Sequence, residues 1–365
     1  MSTRPVRSLA VIVAIMLTAV AGPAAAGTAT AVGEPTLAQL VGQKMVVRMN
    51  GTSPSNSLLA RVRRGEVGGI VLFRCCNITT EAALTTAVRQ LQAAAAAGGQ
   101  PALLVMADQE GGDIRTLPWA ATRYSAKAMG ANGDTTFVRT KGQATGHGLR
   151  AVGVNVDLAP VADVAYGTGG FMYLSDRTFS TSSAKVARLA PAFALGLADR
   201  GVIATLKHFP GIGRVKRNTD RYVETVTASR AALASDLAPF QAGIDAGVPM
   251  IMLSNAGYTA YDGSHAAGWS RTIATGLLRD TLGFKGVSVT DSLNGTAAAR
   301  GVSAAGLAYR ASKAGVDLVM LTRPESATRD AYDYLLRKAT AGYLPLATLR
   351  TSYDRILALK ATLAP

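Results

Sequence analysis

Eight short apolar, β-branched runs alternate with long Ala- and Leu-rich stretches, and few folds accommodate that rhythm. The runs fall at residues 44–49, 69–73, 102–107, 154–158, 203–207, 250–253, 287–290 and 317–321. Between them, residues 80–97, 183–198, 229–246 and 301–314 carry apolar side chains at three- and four-residue spacing. That spacing predicts one helix per stretch. Strand–helix alternation implies a parallel sheet. Eight such units in one domain predict an α/β fold of the (β/α)8 TIM-barrel type. An open doubly wound sheet is the competing arrangement. No glycine-rich phosphate loop follows the first run, which counts against a dinucleotide fold.

The two ends of the chain read differently. Arg4 and Arg7 precede an apolar run at residues 9–20, and Ala24-Ala25-Ala26 offers a small-residue cleavage site. Residues 1–26 therefore read as a secretory signal peptide, too short in its apolar part to span a bilayer. Residues 27–36 are expected to be a flexible lead-in and residues 37–365 a single barrel domain, closed by a helix within 344–365. No later stretch reaches about 18 uninterrupted apolar residues, so no stable membrane insertion is expected. The expected location is outside the cell.

The formal net charge is +15. Without Arg4 and Arg7 of the expected leader it is +13, and an exported protein this basic is expected to be drawn to anionic polymers such as cell-wall phosphates. Nucleic acid is not an expected partner, because the basic residues are dispersed and no zinc-finger or helix-turn-helix signature occurs. The only cysteines are the neighbours Cys75 and Cys76. Export permits a bridge between them, and two free thiols fit the sequence equally well. Of the three histidines, His147, His208 and His265, no two are close in sequence. No metal site and no cofactor are expected.

In a barrel of this type, chemistry gathers where the strands end. Polar residues fall at five of those ends. The third run leads into Asp108-Gln109-Glu110-Gly111-Gly112, and the fourth into the stretch Asp157 to Asp163. The fifth ends in Lys207-His208, the sixth in Ser254-Asn255 and the seventh in Asp291-Ser292. Five polar ends on one rim predict a pocket, and the carboxylates suggest glycoside or metal chemistry.

Several of these segments, taken in order, resemble the family-3 glycoside hydrolases of the β-N-acetylhexosaminidase type. They are Gly68-Gly69-Ile70-Val71-Leu72-Phe73, Asp108-Gln109-Glu110-Gly111-Gly112, residues 149–164, Asp176-Arg177-Thr178-Phe179, Lys207-His208-Phe209-Pro210-Gly211, and Asp291. The resemblance runs from about Leu37 to Thr322. It implies that Asp291 is the nucleophile of a retaining mechanism. It also implies that Asp108, Arg177, Lys207 and His208 hold the sugar, with Asn255 expected beside them at the end of strand six. The substrate implied is a glycan with a terminal N-acetylglucosamine, from cell wall or chitin. Lys207 is expected to favour the ionised form of Asp291.

The chain departs from the family where the proton donor belongs. The family's loop after strand five reads Gly-His-Gly and later Asp-Ser-His. Here the same places read Gly211-Ile212-Gly213 and Asn218-Thr219-Asp220. Asp220 thus stands where the acid/base histidine would be, and Asn218 where its orienting Asp would be. Asp113 replaces the usual Arg after the Gly-Gly pair, and Asn255 stands where strand six often ends in His. Arg214, Lys216, Arg217 and Arg221 flank Asp220 in sequence, so Asp220 is expected to stay ionised, which suits a base better than an acid. Glu224 is a second candidate donor. The leading reading is a hydrolase. The alternatives are a saccharide-binding protein without turnover, whose basic loop holds acidic glycans, and a phosphorolytic variant.

Overall fold

The computed structural model describes Met1, Ser2 and residues 34–363. Apart from Met1 and Ser2, the expected signal peptide lies outside the described residues, as does the lead-in before residue 34. Pro35–Pro365 form one compact unit.

All eight expected strands form, in parallel and in one ring. They are β1 (Met45–Arg48), β2 (Gly69–Leu72), β3 (Leu104–Ala107), β4 (Val156–Asp157), β5 (Ile203–Phe209), β6 (Met250–Leu253), β7 (Val287–Thr290) and β8 (Val319–Leu321). Each strand pairs with its sequence neighbours, and β8 returns to β1 with Met45 opposite Val319. Between β7 and β8, the Thr290 N–H donates to Leu318 O at 3.0 Å and the Leu318 N–H donates to Ser288 O at 2.9 Å. Those bonds close the barrel, and the open doubly wound alternative is excluded.

The strand side chains sort by the two-residue period of extended backbone. Val46, Leu104, Met106, Val156, Met250 and Val289 fill the barrel interior. Their neighbours Val47, Val105 and Ile251 face outward into the layer shared with the helices. Burial on both faces is why the strands read as continuous apolar runs. Ile356 and Leu359 of the last helix (Leu346–Ala361) join the interior cluster, so this helix plugs one end of the barrel.

The expected strand at 154–158 is reduced to Val156–Asp157. The Asn155 side chain takes over strand-like pairing, accepting from the Val105 N–H at 2.8 Å and donating to Leu103 O at 2.9 Å. Two features were too short to show in the sequence pattern. One is a hairpin of Gln109–Gly111 with Ile114–Arg115. The other is a small sheet of Thr225–Val226, Gly257–Tyr258 and Asp262–Ala266. Cys75 and Cys76, just after β2, are joined by a disulfide.

Candidate active site

A cavity of about 180 Å³ opens where the strands end. Its floor includes Val71, Leu158, Met252 and Met320, contributed by β2, β6 and β8 and by the residue that follows β4. Four side chains from alternate strands make one layer of a barrel core, so the cavity rests on the top apolar layer. Above that layer, the odd-numbered strands supply the polar groups. Asp108 follows β3, Lys207 and His208 lie on β5, and Asp291 follows β7; all four line the cavity.

The cationic side is tightly organised. Lys207 is 2% exposed, and its Nζ lies 2.6 Å from Asp108 Oδ1 and 2.6 Å from Glu110 Oε1. Arg177 forks onto Glu110, with Nε 2.8 Å from Oε2 and Nη2 2.7 Å from Oε1. Burial alone would raise the Glu110 carboxyl, but Arg177 and Lys207 outweigh it and hold that carboxyl well below the usual range. Burial would likewise lower the Lys207 ammonium, and Asp108 and Glu110 reverse the effect and raise it. Lys207 is therefore a permanent cation whose contacts go to Asp108 and Glu110, and the expected partnership with Asp291 is not its principal one.

His208 is positioned by Asp163. One oxygen of Asp163 lies 2.7 Å from His208 Nδ1, and the other accepts the backbone N–H groups of His208 and Ile212 at 3.2 and 2.8 Å. With Nδ1 occupied, Nε2 is the ring nitrogen left for a ligand. Below the site, Asp157 is fully buried and accepts from the Gln109 N–H at 3.0 Å. Burial pushes its carboxyl up to about 8.

Asp220 reaches the same cavity, on the side of Asp291 and His208. Asn255 Nδ2 donates to its Oδ1 at 3.1 Å. The expectation that neighbouring cations keep Asp220 ionised is not met. Arg214 turns away to Asp236 at 3.0 Å and stacks over Tyr166. Arg217 pairs with Glu224 at 2.7 Å, and Lys216 and Arg221 are exposed. Burial, followed by the negative charge of Asp291, pushes Asp220 up to about 7, against smaller opposing effects of His208, Asn255 and Arg177. Glu224 is held by Arg217 and by the Lys216 N–H, which removes it as the second candidate donor.

Two other expectations change. Asn255 is fully buried behind Asp220 rather than on the cavity wall. Asn218 accepts the Asp220 backbone N–H at 2.8 Å, so it shapes the turn and leaves the carboxyl to Asn255. Sequence reasoning passed over Glu110 and Asp163 as site residues, although both stood among the polar strand ends.

The segment from residue 36 to residue 359 matches the model described as the glycosyl hydrolase family 3 N terminal domain. The chain belongs to glycosyl hydrolase family 3. It is 33% identical to a beta-hexosaminidase of Xanthomonas campestris, covering 77% of this chain and 85% of that protein. It is 31% identical to an uncharacterized secreted glycosyl hydrolase of Arthroderma benhamiae, over 90% of this chain and 94% of the other. Among solved structures, a family-3 beta-N-acetylglucosaminidase from Paenibacillus superposes with a TM-score of 0.86 at 32% identity. That match takes in 91% of this chain but spans only 64% of the Paenibacillus chain. A beta-N-acetylhexosaminidase from Beutenbergia cavernae gives a TM-score of 0.82 at 33% identity, covering 90% of this chain and 99% of that one. The family-3 resemblance and the barrel expected from sequence are both borne out.

Proposed function

We propose that this family-3 member is an exported, retaining β-N-acetylglucosaminidase with a carboxylic acid as its proton donor. It would remove terminal N-acetylglucosamine from cell-wall or chitin-type glycans. The observation that carries this reading is Asp220, half-buried and sharing with Asp291 a cavity suited to a single sugar. About 180 Å³ is below the roughly 300–1,000 Å³ of sites for drug-sized ligands.

In the first step, Asp291 attacks the anomeric carbon while protonated Asp220 gives its proton to the leaving oxygen. The glycosidic C–O bond breaks, the shortened glycan departs as an alcohol, and a glycosyl ester forms on Asp291. The ester removes the negative charge that helped to raise Asp220. Asp220 then favours its ionised form. As a base it takes a proton from water, whose oxygen attacks the anomeric carbon and releases Asp291. One carboxyl thus serves as acid and then as base because its neighbour's charge changes between steps. Asp108, Lys207, His208 and Arg177 would hold the sugar hydroxyls and the N-acetyl group.

Export is supported by the leader-like residues 1–26 and by the secreted Arthroderma relative. Among the described residues, no helix is long and apolar enough to cross a membrane. The proposed organisation is a leader at residues 1–26, a lead-in at 27–36 and the barrel at 37–365. Loss of Arg4 and Arg7 with the leader lowers the net charge from +15 to +13, and that charge would hold the enzyme near anionic cell-wall polymers.

The test is nitrophenol release from nitrophenyl N-acetyl-β-glucosaminide by the wild type, Asp291→Ala and Asp220→Ala. Release that is lost in Asp291→Ala and cut by about 10²- to 10⁴-fold in Asp220→Ala is the expected result. No release by the wild type from acidic to neutral pH would sink the hydrolase reading and leave a saccharide-binding protein.

A further inference from the structure

We infer that Asn255 is the positioning residue of the proton donor, holding the Asp220 carboxyl at the cavity while Gly295 seats its backbone. This rests on Asp220 being the acid of the proposed reaction. Sequence order points to Asn218 for that role, and Asn218 is spent on the Asp220 N–H.

The Asn255 side chain is held through its Nδ2, while its buried Oδ1 has no hydrogen-bond partner among the described residues. Its Nδ2 donates to Asp220 Oδ1 at 3.1 Å and to Ser292 O at 3.0 Å. Both partners are acceptors here, so the amide has to present its nitrogen to them. Ser292 follows Asp291 directly, and the carboxamide therefore ties the acid to the segment that carries the nucleophile. The Asn255 backbone carbonyl accepts from Arg300 Nη2 at 3.2 Å, and the Arg300 guanidinium lies over the Trp269 ring at 5.1 Å.

Gly295 closes the other side. It belongs to the helix Leu293–Ala299 that follows Asp291. A Cβ added there would stand 2.4 Å from Asp220 O, closer than packed atoms allow. The helix therefore meets the acid's backbone directly, and only glycine permits that approach. The loop that carries Asp220 is also fastened along its length. The Tyr166 N–H donates to Gly213 O at 3.2 Å, the Phe171 N–H to Val215 O at 3.1 Å, and the Gly257 N–H to Glu224 O at 3.0 Å. The acid is thus placed in the resting protein, which is how a proton donor is kept at reacting distance.

Asn255 also acts on the charge of Asp220. The groups facing that carboxyl are Asp291 at the end of β7, His208 on β5, Arg177 after β4 and Asn255 after β6. A donated N–H favours the carboxylate, so Asn255 restrains the proton affinity and supports the base form in the second step.

The experiment compares kcat/KM for dinitrophenyl and methylumbelliferyl N-acetyl-β-glucosaminides in the wild type, Asn255→Ala and Gly295→Ala. A dinitrophenolate leaves without a proton, whereas methylumbelliferone needs more help from the acid. Loss of acid positioning should cost about tenfold or more on the methylumbelliferyl substrate and under about threefold on the dinitrophenyl one, part of the roughly 10²- to 10⁴-fold that general acids supply. In Asn255→Ala, the alkaline limb of the residual methylumbelliferyl activity should also move to higher pH. Equal losses on both substrates, or an unmoved limb, would overturn the inference and leave the hydrolase reading standing. If Asn255→Ala does not fold, the leaving-group contrast in Gly295→Ala decides the matter. A wild type inert on both substrates would instead end the hydrolase reading, and this inference with it.

Discussion

Oε1 of Glu110 lies 2.6 Å from Nζ of Lys207, and both side chains are almost fully buried. The same carboxylate takes the fork of Arg177. Glu110 is therefore a shared buried counter-ion of two cations, and in the proposed reaction it would let them face an uncharged sugar. In Glu110→Ala both cations lose a buried partner, and breaking such a pair costs about 3–5 kcal/mol. Urea unfolding at neutral pH should show a loss of that order, and an unchanged midpoint would contradict the role.

Glu110 also predicts a pH dependence of stability. Arg177 and Lys207, outweighing burial, hold its carboxyl well below the ordinary glutamate value of 4.5. The stability it contributes is therefore complete above the unfolded value and is lost as pH falls toward the folded one. Unfolding followed through mildly acidic pH should show the wild type losing stability below about pH 4.5, while Glu110→Gln loses less over the same range. Parallel curves would count against the depressed carboxyl.

In the proposed reaction Asp220, pushed up to about 7 mainly by burial and then by Asp291, would set the opposite limb for catalysis. The first step needs the protonated form, so kcat/KM should fall as pH rises through about 7. Asp291→Asn removes the neighbouring charge and should move the Asp220 titration to lower pH. NMR of the inactive variant with carboxyl-labelled aspartate reads this directly. An Asp220 titration that stays in place would show that the two carboxyls are not coupled.

The Cys75–Cys76 bridge joins adjacent residues. Disulfides stabilise chiefly by closing long loops in the unfolded chain, and this one closes almost none. The Cys75→Ser/Cys76→Ser double variant should melt within about 1 °C of the wild type. A drop of several degrees would mean that the bridge supports the β2 end through native contacts instead.

The barrel was legible because each strand is buried on both faces, which leaves an unbroken apolar run such as Met250–Leu253. The site was legible only as a set of residue types. Asp220 lies in a run of cations, and sequence proximity suggested that they set its charge. In space, Arg214 answers to Asp236, 22 residues away, and Arg217 to Glu224. The charge that does reach Asp220 comes from Asp291 across the barrel mouth. Glu110 was visible as a polar strand end, but its partner Arg177 is 67 residues away. The family resemblance put Asn255 beside the sugar as the residue that ends strand six, and only the fold shows Asp220 standing in front of it.

The most direct measurement is mass spectrometry of Asp220→Ala quenched during turnover of dinitrophenyl N-acetyl-β-glucosaminide. In the proposed mechanism that substrate would bypass the missing acid, while the missing base would slow hydrolysis of the ester. One N-acetylhexosaminyl group should accumulate on the peptide containing Asp291. An unmodified peptide while dinitrophenol is still released, or a label on any other residue, would contradict the proposed mechanism.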